Sequence, residues 1–196
     1  LVESDGEALR HRPDLRQQML PLIRALRPRR FEALHRRAFE YFRARAEADK
    51  NDLAAAAEAV YHGLWLGESL SLLNRLWRSS PAFNPRINPE EFDESSPANI
   101  FVRAKARAPL APHEVSELPR EVALDWLDAR SSGLLTNGGV EDSIQAIREA
   151  AGHDYEGLDE RQGTAAVLAL LMYRAGLWDD GARLAWRHIA RASDEE

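Results

Sequence analysis

The chain has no cysteine among its 196 residues. That excludes disulfides and thiolate metal sites and fits a reducing compartment, so a cytoplasmic location is expected. It has no apolar run near 18 residues, so no membrane span and no membrane partner are expected. The opening LVESDGEALRHRP has no hydrophobic signal core and no initiator methionine; a chain that starts on Leu1 in mid-pattern reads as a piece of a longer protein. There is no GxxxxGK[ST] loop, and the serines at 69, 71, 79 and 80 sit in no GxSxG elbow. His113-Glu114-Val115-Ser116-Glu117 has the look of a zincin helix, but Glu117 stands where the second histidine is required. No catalytic residue, cofactor-binding residue or metal ligand is assigned. Glu58 and His62, one turn apart, and His35 on the partner helix have zinc-ligand chemistry, but residues of this kind more often hydrogen-bond at a helix crossing.

What the sequence does have is helical periodicity. In Phe31–Glu47, the residues Phe31, Leu34, Ala38, Tyr41, Phe42 and Arg45 recur at spacings of three and four and form one stripe. Arg29, Arg30, Arg36, Arg37 and Arg43 fill the rest of the circumference. In the next segment Leu53, Ala56, Ala57, Val60, Tyr61 and Leu64 form the stripe. Its alanines form helix readily and allow close approach, so this helix is expected to be the buried partner. Asn51-Asp52 supplies an N-cap and Gly67 a stop. Together the two make an αα-hairpin.

Elsewhere, Ser4-Asp5-Gly6-Glu7 reads as the turn of a short β-hairpin with arms Leu1-Val2 and Ala8–Arg10. Pro13 opens a helix carrying Leu15, Met19, Leu22, Ile23 and Leu26, with Pro21 expected to bend or interrupt it. Ser69–Ser79 reads as a helix with Leu70, Leu73, Leu76 and Trp77 inward. Residues 80–97 read as an irregular connector docked by Phe83, Ile87 and Phe92, with a solvated acidic run at Glu90, Glu91, Asp93 and Glu94. Helices follow at 97–108, at 113–132 with a break at Pro119, and at 140–151. The last pair spans 159–175, with Val167, Leu170, Leu171 and Ala175 on its stripe, and 181–192. Its LMYRAGLWDDGARLAW matches the middle of a tetratricopeptide repeat, with Ala182 at the close crossing.

Charge is uneven. Residues 1–50 hold 12 basic and 8 acidic residues, against a formal net charge of −6 for the whole. The arginines from Arg24 to Arg45 alternate with core positions and do not cluster with exposed aromatics, so nucleic acid is a disfavoured partner. The tryptophans 65, 77, 126, 178 and 186 fall at stripe or turn positions, where core packing is the commoner role. The residues assigned to partner contact are Arg36, Arg37, Arg43, Trp65, Trp126 and Trp178.

Two segments carry a resemblance. LVESDGEALRHRPDLRQQML resembles the closing wing and following helix of the winged-helix module in STAND-type signalling ATPases of the AAA class. EALHRRAFEYFRAR…LAAAAEAVYHGLWLGE, with Leu34-His35 and Tyr61-His62, resembles the first helical hairpin after that module. The likeness covers residues 1–68 and, generically, Met172–Trp186; nothing is matched over 80–155. It implies an all-α, TPR-like right-handed solenoid of helical hairpins, with residues 1–27 ending a winged-helix module and 28–196 forming the helical domain. It also implies a non-catalytic sensor arm that binds a protein or peptide and its own upstream ATPase domain, with ATP and Mg²⁺ held only upstream. The alternative is a nucleic-acid-binding regulator that uses the wing and the basic N-terminal helices.

Overall fold

The computed structural model describes residues 2–4, 9–11, 13–78, 87–137, 139–152, 155, 158 and 161–194. Its architecture is all-α. Among the described residues there are ten α-helices, one 3₁₀ turn, and a pair of three-residue strands at the start. Strands β1 (Val2–Ser4) and β2 (Leu9–His11) are antiparallel, with Glu3 opposite Arg10. Of the expected turn Ser4–Glu7, Ser4 ends β1 and residues 5–7 lie outside the described residues, as do Leu1 and Ala8 of the expected arms and Phe83. The chain divides into two compact units, 1–102 and 103–196.

In the first unit, α1 (Pro13–Leu26) runs unbroken through Pro21. The expected interruption does not occur; proline here forgoes one intrahelical hydrogen bond on an exposed helix. Arg27 separates α1 from α2 (Pro28–Ala48), and Pro28 occupies a first-turn position where its missing N–H costs nothing. A tight turn leads to α3 (Leu53–Leu66). Asp52 caps it by accepting from the Ala55 N–H at 2.8 Å, and Arg45 donates to the Asp52 carboxylate at 2.6 Å. Gly67 ends α3 in the left-handed region at φ 70°, and the Glu68 N–H reaches back to the Gly63 carbonyl at 3.0 Å.

Helix α3 is buried on nearly every side: Ala55, Ala56, Ala57, Ala59, Val60, Tyr61, Gly63, Leu64 and Trp65 are all interior. Small residues make this burial geometrically feasible. A Cβ on Gly63 would lie 2.5 Å from Leu73 Cδ2 and 3.1 Å from the Phe39 ring. The inward face of α2 is Phe31, His35, Phe39 and Ala46. The stripe expected from the sequence is displaced, since Leu34 and Tyr41 point outward. Helix α4 (Leu70–Leu76) is shorter than expected, with Leu73 and Leu76 inward and Trp77 already extended, its ring edge-on to Phe101 at 5.7 Å. The 3₁₀ turn Pro89–Glu91 is held by Asn99 of α5 (Pro97–Lys105), whose Nδ2 donates to the Pro89 carbonyl at 2.9 Å. Ile87 and Phe92 dock into the core as expected.

In the second unit, α6 (Pro112–Ser116) and α7 (Arg120–Asn137) are separated at Pro119, and α8 (Val140–Ala151) packs on both. Glu114 joins the start of α6 to Arg103, accepting at 2.5 Å, and also accepts from the Ala111 N–H at 2.7 Å. Helices α9 (Gln162–Arg174) and α10 (Trp178–Asp194) form a hairpin closed at Gly176, φ 76°. Arg161 donates to Asp125 at 3.1 Å and also pairs with Asp128, so the start of α9 is clamped to α7. The inward residues of α9 are Thr164, Ala165, Leu168, Leu171 and Met172; Leu170 and Ala175 of the expected stripe are exposed. The close crossing also moves by one position. Ala182 is exposed, while a Cβ on Gly181 would meet the Ala169 carbonyl at 3.1 Å and Met172 Cβ at 3.3 Å.

Ala57 has no exposed surface. Ala57→Asp buries a carboxylate with no partner and is expected to lower the unfolding free energy by at least about 3 kcal/mol. Ala57→Gly should cost only about 1 kcal/mol. Urea denaturation of both variants checks the contrast; equal midpoints would mean that this is not the buried face.

Candidate functional site

The polar groups of the first unit converge on the α2–α3 seam. Helical spacing places His35 on the inward face of α2 between Phe31 and Phe39, and His62 on α3 one turn after Glu58. The two imidazoles meet directly, Nδ1 to Nδ1, at 3.0 Å. One ring must donate and the other accept. His62 Nε2 lies 3.9 Å from the Glu58 carboxylate, which favours a proton on that nitrogen. His62 Nδ1 is then the acceptor and His35 Nδ1–H the donor.

Aromatic rings enclose the pair. Phe31 lies 4.2 Å from His35 between ring centroids, Trp65 lies 5.9 Å from it, and Phe42 stacks parallel on His62 at 6.0 Å. Burial, reinforced by the Arg24 charge, lowers the His35 pKa from 6.5 to about 4. Burial, with His35 itself opposing a second charge, lowers that of His62 to about 4. Both rings are neutral at pH 7. The trio considered for zinc is thus a hydrogen-bonded pair with a flanking carboxylate. Among the described residues, no group of three or more His, Cys, Asp or Glu is placed to hold a metal.

A second polar contact extends the cluster. Tyr61 Oη donates to Glu91 at 2.8 Å, and Glu91 is buried. This corrects the expected solvated acidic run: Glu90, Asp93 and Glu94 are exposed, but Glu91 points inward and ties the connector to α3. Beside it lies a half-open cleft of about 740 Å³. Its lining includes Pro21 and Arg24 of α1, Trp65 of α3, Glu68, Phe92 and Asp93. The imidazoles do not line it. Trp65 has its Nε1–H buried without a hydrogen-bond partner among the described residues.

The residues assigned to partner contact fall in different places. Arg36 is exposed, 3.3 Å from Glu32 and 3.7 Å from Glu68. Arg43 pairs with Glu47 at 2.7 Å, and Arg37 is exposed. Trp65 is a wall of the cleft. Trp126 is interior, with its Nε1–H donated to the Ala108 carbonyl at 2.8 Å, so it packs the second unit and presents no anchor. Trp178 is exposed and lies 6.4 Å from Tyr173. Trp186, expected in the core, is exposed as well. The exposed Tyr173 and the buried Glu91 were missed. Tyr173 lies outside the stripe but two residues after the inward Leu171, and the period alone marks it as outward. Glu91 carries no signal in the sequence, because its partner is thirty residues away.

Comparison with protein-family models, with characterised proteins and with solved structures returns no match.

Protonation sets the pH dependence of the seam. A base whose folded pKa is depressed binds its proton preferentially in the unfolded chain. Stability from the neutral pair is therefore complete above about pH 6.5 and is lost as pH falls toward about 4. The loss for one imidazole is on the order of 3 kcal/mol at the lower limit. Unfolding free energy measured between pH 7 and 4.5 should decline, and the decline should flatten in the double variant His35→Phe, His62→Leu. Identical slopes would show that the pair is not held neutral.

Tyr61→Phe removes the hydrogen bond to a buried carboxylate and is expected to cost about 1–3 kcal/mol. Limited proteolysis should then cut the connector faster, and unchanged protection would mean that Glu91 does not hold it.

Proposed function

We propose that this chain is a non-catalytic protein-interaction arm: a TPR-like stack of helical hairpins serving as the regulatory, ligand-sensing part of a larger STAND-type ATPase. On this reading the short strand pair is the remnant of a winged-helix wing, and ATP and Mg²⁺ are bound only in the upstream domain. The observation that carries the reading is the repeated hairpin design. Both α2–α3 and α9–α10 are helical hairpins in which a glycine, Gly63 or Gly181, faces the partner helix where an added Cβ would lie only 3.1 Å from its nearest atom. A hairpin of this kind cannot bury its apolar faces alone, so such units stack and leave grooves.

The distribution of chemistry agrees with binding. The two imidazoles are spent on each other inside the seam, while the cleft is walled mainly by Pro21, Leu64, Trp65, Leu70 and Phe92. A groove with apolar walls and a few polar rim groups suits a peptide segment. Nucleic-acid binding is the weaker reading, because Arg36, Arg43 and Arg45 are engaged by Glu32, Glu68, Glu47 and Asp52, and the exposed Arg27, Arg29 and Arg30 follow an aliphatic stripe that offers no ring on which a base could stack. No helix among the described residues is long and apolar enough to cross a membrane.

The gene decides the larger claim. Sequencing on the 5′ side of the Leu1 codon should reveal, in the same reading frame, a GxxxxGK[ST] loop about 200–300 codons upstream, where its amides would cradle phosphate. An open reading frame without such a loop would remove the ATPase arm from consideration.

A further inference from the structure

Residues 15–31 contain five arginines and no acid, in a chain whose formal net charge is −6. Within this run, Met19, Leu22, Ile23 and Leu26 stand at i, i+3, i+4 and i+7 on α1. They are 50%, 54%, 39% and 79% exposed. The apolar stripe of α1 is therefore turned outward. It is α1's other face, at Pro21, Arg24 and Ala25, that borders the cleft. Directly after the stripe in sequence come Arg27, between the helices, and Arg29 and Arg30 in the first turn of α2, all exposed. The nearest acid in sequence, Glu32, is already within 3.3 Å of Arg36.

We propose that α1 is a docking helix: its Met19–Leu26 stripe seats in the apolar groove of a partner protein whose carboxylates ring the end of the groove that meets Arg27, Arg29 and Arg30. The spacing is that of helix-in-groove anchors. The charge states what the groove must carry, because three exposed guanidinium groups, with no acid paired to them among the described residues, call for acids at the end of the groove that meets them. A bilayer surface fits less well. A helix lying in the interface carries its basic residues along the flanks and its apolar face over a longer stretch, whereas here the stripe covers roughly 10 Å of helix, has no aromatic residue, and is followed directly by three of the five arginines. A second copy meeting it face to face fits less well too, since the same face offers no acid between residues 15 and 31. The inference rests on reading the chain as a partner-binding arm and makes no use of an upstream ATPase.

The test is calorimetric titration of the whole chain into calcium-loaded calmodulin, used as a probe because its methionine-lined grooves have acidic rims. Binding is expected, weakened at least tenfold by Leu22→Asp or Leu26→Asp. Both positions are exposed, and unchanged thermal melting of each variant verifies that it is folded. The triple variant Arg27→Gln, Arg29→Gln, Arg30→Gln should bind weakly and lose most of the salt dependence. Affinity that ignores these substitutions, or no binding to the probe, overturns the proposal. Sedimentation with 3:1 phosphatidylcholine–phosphatidylglycerol vesicles in place of probe binding overturns it in favour of a bilayer surface. An upstream phosphate-binding loop in a gene whose product fails the titration would keep the regulatory arm and discard the docking helix; the opposite pair of results would do the reverse.

Discussion

The close approach of α2 and α3 is the constraint from which the first unit follows. Ala55, Ala56, Ala57, Ala59 and Gly63 leave α3 with almost no side-chain bulk on the faces it presents to its neighbours. Two consequences follow. The space around α3 is filled so closely that one added carbon at Gly63 would overlap the Leu73 side chain of α4 and crowd the Phe39 ring of α2. There is also no solvent in which a polar side chain on the seam could satisfy itself. A polar group caught at such a crossing must find a protein partner or forfeit its hydration at a cost of kilocalories. His35 and His62 therefore bond to each other, and Tyr61 bonds to Glu91. Those residues turn a greasy contact into one with a single register: sliding α3 by one residue would rotate His62 away from His35 and Tyr61 away from Glu91 together.

The helices, their caps and the order of hairpins were legible in the sequence, because period, Asp52 and Gly67 are local signals. The inward face was legible only to within one residue. On α2, Leu34 and Tyr41 were preferred over His35 and Phe39 because Leu is more apolar than His. The preference failed because a neutral, partnered imidazole packs like a hydrophobic ring. On α10 the same offset exchanged Ala182 for Gly181. A helix turns 100° per residue, so two adjacent positions can both lie near a contact, and composition cannot choose between them. Phase at that precision is set by the partner helix. On α1 the apolar stripe was legible but its outward direction was not, since periodicity reports that a face is apolar and is silent on what meets it.

The candidate site was less legible than the fold. Glu91 sat in a connector with three other acids and looked solvated; only the tertiary contact with Tyr61 distinguishes it. Trp126 and Trp178 were treated alike. One is fixed inside the second unit by its bond to the Ala108 carbonyl, and the other stands in the open beside Tyr173. The indole ring suits core and interface equally well, so residue type alone could not separate them.

Placement of charge completes the picture. The arginines with acid neighbours, Arg36, Arg43 and Arg45, are neutralised on the surface of the first hairpin, where such pairs contribute at most about 1 kcal/mol each. Their effect is chiefly to cancel the field of the helix that carries them. Arg27, Arg29 and Arg30 follow a segment without a single acid, so their field is not cancelled locally and extends over roughly a Debye length, about 8–10 Å. The apolar stripe of α1 lies within that range. Stability gains little from either feature, because half-exposed side chains bury only part of their area and these guanidinium groups have no acid paired to them among the described residues. Their cost is tolerable on a surface helix, whereas the imidazoles of the seam and the Tyr61 hydroxyl beside it are each held by a protein partner. The two helices thus obey opposite rules: α3 is selected for what it can exclude, and α1 for what it leaves available.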